Sequence, residues 1–199
     1  MVVVFWLSRW PGLMPPNFSV AYALVFCAGL YWPGAAGWLG PLVVMLVSDL
    51  VITPIFYHLH DFSWGRFLLD QSPNYLAYAA IIALGRLCGG RNVMKRSWWL
   101  LLGGGIMGAL LFYLITNTMS WMTLSYSKTL AGWIQALTQG LPGYPPTWEF
   151  FRNTLGSGGL FTGLFVGAVK MTEEHEAEES EEEEADEPAK KGEKAEAET

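Results

Sequence analysis

The sequence predicts an all-α, polytopic membrane protein. It reads as a transmembrane bundle of five to six helices, residues 1–171, with a disordered acidic tail, residues 172–199. Three observations predict this. Hydrophobic residues make up 52% of the 199-residue chain, and 10 of them are Trp. Charge is segregated: the first 171 residues hold 4 acids and 9 bases and the last 28 hold 14 acids and 3 bases, so a body of +5 carries a tail of −11. Apolar runs also recur at lengths close to the roughly 20 residues that a helix needs to cross a bilayer core. A soluble surface is normally about a quarter or more charged. The body cannot supply that, so the expected medium is the lipid bilayer.

Residues 1–10 are apolar apart from Ser8 and Arg9 and read as a short first helix. No basic stretch precedes this run and no small-residue cleavage site follows it, which disfavours a signal peptide. The Pro-rich break from Pro11 to Pro16 leads to a second run at 19–32. The third run, 38–57, has a single acid, Asp49, inside it, and the fourth, 74–88, carries Arg86 near its end. The fifth, 98–116, has no charge; residues 129–140 read as an extra helix too short and polar to span. The sixth, 153–169, is uncharged between Arg152 and Lys170. Cys27 and Cys88 lie within apolar runs, with neither metal-ligand nor disulfide spacing, and read as small buried hydrophobes.

Basic residues in short loops set orientation. Arg86, Arg91, Lys95 and Arg96 cluster between the fourth and fifth runs, which places that end, and the tail, on the cytoplasmic side. Polar residues within the runs then fall mostly at the opposite, external end. Asn17 opens the second run, Ser48 and Asp49 lie late in the third, Asn117 closes the fifth, and Arg152 and Asn153 open the sixth. Polar groups in lipid are costly and mark functional sites. The pattern predicts an external pocket of amides, one carboxylate and one guanidinium; in the competing reading Asp49 simply pairs with Arg152 or Lys128, a purely structural pairing that joins helices.

Other motifs carry less. Gly103 to Gly108 matches the spacing of a dinucleotide fingerprint, but no strand precedes it, and it lies inside an apolar run. Gly159, Gly163 and Gly167 form one helix face on which an internal helix or a partner subunit could approach closely. His58, His60 and Asp61 offer metal-ligating groups, but the two imidazoles at i, i+2 do not share a helix face. The more economical reading is interfacial polar residues with no metal. No hydrolytic constellation, cofactor motif or nucleic-acid motif is expected. The tail, with its Glu181–Glu184 run, has the composition of a disordered segment.

Four ordered elements carry a family resemblance: Pro15-Pro16-Asn17-Phe18, Ser48-Asp49, Thr116-Asn117 with Trp121 and then Lys128-Thr129-Leu130-Ala131-Gly132, and Phe151-Arg152-Asn153-Thr154-Leu155. Together they resemble an uncharacterised bacterial family of membrane transport proteins. That family is similar in architecture to the substrate-binding S components of energy-coupling factor transporters. In that family an acid often follows the Asn-Thr-Leu element; here Ser157, Gly158 and Gly159 stand instead. The resemblance implies a six-helix bundle in a bacterial plasma membrane that captures a solute externally and docks on an ATP-driven coupling module.

The expectation is a non-enzymatic subunit for uptake of a small polar solute. Asn17, Ser48, Asp49, Asn117, Trp121, Lys128, Arg152 and Asn153 would form its site, with Arg152 and Lys128 meeting an anionic group and Trp121 covering an apolar face. The alternative is a membrane scaffold that works through the glycine face and the acidic tail.

Overall fold

A helix that is apolar on every side has no face to offer water, so it belongs at the centre of a bundle. The second apolar run meets that condition and takes that place. The structure, a computed structural model, describes residues 2–56, 63–89, 93 and 96–197. Among these residues there are seven helices and no strand: α1 (Val2–Arg9), α2 (Ala21–Tyr31), α3 (Ala36–Phe56), α4 (Trp64–Cys88), α5 (Trp98–Thr123), α6 (Leu130–Thr138) and α7 (Thr147–Ala197). Nine of the 11 residues of α2 are buried, and α2 packs against α3, α4, α5 and α7.

Glycines let the central helices meet at the backbone. At the α2–α4 crossing, a Cβ added to Gly29 would run into the Ile82 carbonyl, and one on Gly85 into the Phe26 carbonyl. On α5, a Cβ added to Gly104 would lie 2.7 Å from the Phe26 ring, and one on Gly108 3.0 Å from Ile81. Of the fingerprint-like glycines, Gly104, Gly105 and Gly108 are thus packing residues, while Gly103 has open space. On α7 the tight contact is Gly158, whose added Cβ would lie 2.5 Å from Ala109, together with Thr162 against Gly105. Gly159 and Gly163 meet Ile106, Leu102 and Trp98 of α5 at ordinary contact distance, and Gly167 has open space. Four-residue spacing marks a smooth face, but which glycine the neighbour crosses depends on helix rotation.

The bundle has a hydrophobic core but, unlike a water-soluble protein, also an apolar exterior. Leu39, Val43, Val47, Val51 and Ile55 recur every fourth residue along α3, each 40–61% exposed. Ser48, Thr154, Ser157 and Thr162 are fully buried. An apolar exterior of this extent marks contact with lipid or protein. Among the described residues two helices, Ala36–Ile55 and Trp98–Thr123, are both long and apolar enough to cross a membrane. α2, at 11 residues, spans only about 16 Å at the helical rise.

One boundary differs from expectation. α4 starts at Trp64, ten residues before the apolar run, and continues through Pro73. α7 extends past the apolar run into the acidic segment, to Ala197. Ala, Glu and Lys are strong helix formers, and a helix already formed removes the nucleation cost of extending it. Composition argued for solvation, and a solvated helix meets that requirement as well as a coil does.

Candidate solute cavity

The chain leaves α1 at Arg9 and reaches α2 through a loop whose backbone needs two left-handed residues, Gly12 (φ +85°) and Asn17 (φ +61°). Glycine has no Cβ to clash there, and asparagine tolerates the conformation through its short polar side chain. Three contacts set the loop down on the bundle. Tyr22 Oη donates to the Asn17 carbonyl at 3.1 Å, Asn153 Nδ2 donates to the Pro16 carbonyl at 2.9 Å, and Phe18 meets Phe161 edge-on.

Beneath the loop lies a cavity of about 560 Å³. α4 contributes Asn74 and Tyr78, and α5 contributes Phe112, Thr116, Asn117 and Ser120. Tyr78 stacks on Phe112 with ring centroids 5.5 Å apart, and Tyr22 leans on Phe112 at 4.7 Å. One aromatic wall thus faces a set of amides and hydroxyls. Thr116 Oγ1 and Asn117 Nδ2 each donate back to an α5 carbonyl at 2.8 Å. This fixes both side chains and keeps their oxygens as acceptors.

Behind the cavity wall is the bundle's buried ion pair. Arg9 Nη2 donates to Asp49 Oδ1, and Tyr75 Oη donates to Asp49 Oδ2 at 2.9 Å. Arg9 Nη1 reaches Tyr78 Oη at 3.4 Å and Met45 Sδ at 3.3 Å. Its side chain is 14% exposed and that of Asp49 only 6%. A carboxylate this deep needs a cation and a second donor, and α1 and α4 bring both to α3.

Residues 1–181 match the model of a family of unknown function, DUF6580. The chain belongs to this family. The DUF6580 match covers every residue of the cavity and both partners of the ion pair. No curated protein and no solved structure matches the chain.

Of the positions the sequence singled out, Asn17 and Asn117 line the cavity of this DUF6580 member. Asp49 stands behind the wall, paired with Arg9 rather than with Arg152 or Lys128. Ser48 is fully buried beside it, its hydroxyl without a partner. Asn153 holds the loop from outside. The other three serve local structure. Lys128 donates to the Trp121 and Leu124 carbonyls, capping the end of α5, and Trp121 Nε1 donates to the Ser127 carbonyl at 2.9 Å. Arg152 is exposed, its guanidinium 5.7 Å from the Trp148 ring centroid. His58, His60 and Asp61 lie outside the described residues, and no cluster of three metal-ligating side chains occurs among the described ones.

Sequence reasoning missed Arg9, Tyr22, Asn74 and Tyr78. A signal for Arg9 was present: it is the one cation inside the first apolar run, as Asp49 is the one acid inside the third. Two lone opposite charges in apolar helices have each other as the nearest means of neutralisation.

Proposed function

We propose that this protein is a membrane-embedded solute-binding subunit, similar to the S components of energy-coupling factor transporters, and that its cavity captures a small polar molecule for uptake. The observation that carries this reading is a 560 Å³ cavity lined by Asn17, Asn74, Thr116, Asn117 and Ser120 at one end of an otherwise apolar bundle. Polar side chains gathered around an open volume in such a bundle serve a ligand or an internal network, and most of these face the volume instead of one another. On this reading α1 to α5 and the apolar part of α7 form a six-helix body in a bacterial plasma membrane. The cavity faces outward, while Arg86, Arg96 and the acidic extension of α7 face the cytoplasm, where an ATP-driven coupling module would dock.

Thermal unfolding of the purified protein against a panel of small polar solutes tests this. A binding solute raises Tm in proportion to its occupancy. Asn117→Ala should abolish the rise, and Arg152→Ala, remote from the cavity, should retain it. Equal responses in both variants would contradict the assignment of the cavity as the site.

A further inference from the structure

The charges around the cavity indicate which solutes it accepts; this inference rests on the solute-binding reading above. Among the described residues Arg9 is the only cationic side chain on the cavity wall, and no carboxylate lines it. That cation is already neutralised by Asp49, whose second oxygen is filled by Tyr75. The other cations that could have met an anion are placed elsewhere: Lys128 caps α5 and Arg152 sits exposed over Trp148. A charged ligand would find no unpaired counter-ion on this wall to receive it, and any part of its charge that is desolvated without one is disfavoured.

What the wall does offer is uncharged. Asn74, Thr116, Asn117 and Ser120 supply amide and hydroxyl groups, and Tyr78 with Phe112 supplies flat apolar surface. Arg9 also lines this wall, its side chain 14% exposed. A neutral carbonyl oxygen can accept a hydrogen bond from the wall's amide, hydroxyl or guanidinium groups without adding charge.

We propose that the cavity selects uncharged ring compounds bearing an amide or carbonyl group, and rejects their carboxylate analogues because Asp49 has already consumed the only cation. The selecting device is the Arg9–Asp49 pair. It leaves the guanidinium as a hydrogen-bond donor while cancelling its attraction for anions.

The test compares matched probes on the full-length protein in lipid nanodiscs at pH 7: benzamide against benzoate, and pyrazinamide against pyrazinoate. The amide of each pair should bind at least about tenfold more tightly than the acid, given the desolvation of an unpaired carboxylate. Asp49→Asn, which leaves Arg9 uncompensated, should shift the ratio toward the acid. Because that variant also loses a structural contact, the wild-type ratio is the primary readout. Equal or tighter binding of the acids to the wild type would overturn the proposal while leaving solute binding intact. If none of the four probes binds, the charge of any small molecule that co-purifies decides: a neutral molecule supports the proposal and an ionised one overturns it. No probe binding and no co-purified molecule would remove the solute-binding reading and this inference with it.

Discussion

The two ends of the bundle are built on opposite principles. At the end where α2 finishes, helices touch at the backbone. Gly29 and Gly85 admit no side chain between α2 and α4, a Cβ on Gly89 would come within 2.8 Å of the Leu30 carbonyl, and Arg86 donates to the Gly34 carbonyl over the Trp38 ring. At the end where α2 begins, the same α2, α4 and α5 enclose 560 Å³ lined with amides and hydroxyls. Identical helices therefore change from contact to separation within about three turns. Small residues draw them together at one end, and Tyr22, Tyr78 and Phe112 hold them apart at the other. The difference teaches that the cavity is held open by a closed far end.

The largest expected effect breaks that closed end. Gly85→Leu must displace the Phe26 carbonyl, which is backbone and cannot rotate away. Its cost should reach or exceed the roughly 1–3 kcal/mol of ordinary overpacking, seen as loss of folded protein or a large fall in Tm in detergent. A Tm within a degree of wild type would mean that α2 and α4 do not touch there.

Next is the pair behind the cavity. Arg9→Met or Asp49→Asn alone leaves a buried charge unbalanced, at a cost of about 3–5 kcal/mol. The double variant should recover much of that loss. Strictly additive losses across the four-way comparison would show that the two side chains are not coupled. Arg152→Met at the exposed position is expected to change stability by no more than about 0.5 kcal/mol.

The sequence announced the two ends unequally. Segregation of charge and the recurrence of apolar runs made the helical class readable, and Asn17 and Asn117 were readable as members of one polar end. The partner of Asp49 was not, because the helix carrying it is only eight residues long and short apolar runs carry little periodic signal. Tyr22 and Tyr78 looked like ordinary apolar-segment residues, since a tyrosine's role depends on what its ring faces. Lys128 and Arg152 were plausible ligands by charge alone; the turn after α5 places the first on helix carbonyls, and the second points off the bundle beside Trp148.

A smaller effect is expected at the loop. Asn153→Ala removes its hydrogen bond to the Pro16 carbonyl, worth about 1 kcal/mol, and should raise protease susceptibility at residues 11–16 more than it lowers Tm. Gly167→Ala should be the mildest change. Nothing lies within 4 Å of the added methyl, and alanine favours the helix by up to about 1 kcal/mol, so Tm should hold or rise slightly. A marked fall would instead show that this face meets a partner.

The central claim is that the open end holds a solute. Its most direct test is mass spectrometry of small molecules retained by the purified protein, wild type against Asn117→Trp, whose indole would occupy the cavity beside Ser120. The account predicts a defined small molecule on the wild type that is absent from a folded Asn117→Trp protein. The same molecule at the same stoichiometry on both, or none on the wild type across mild detergents and native lipid nanodiscs, would contradict it.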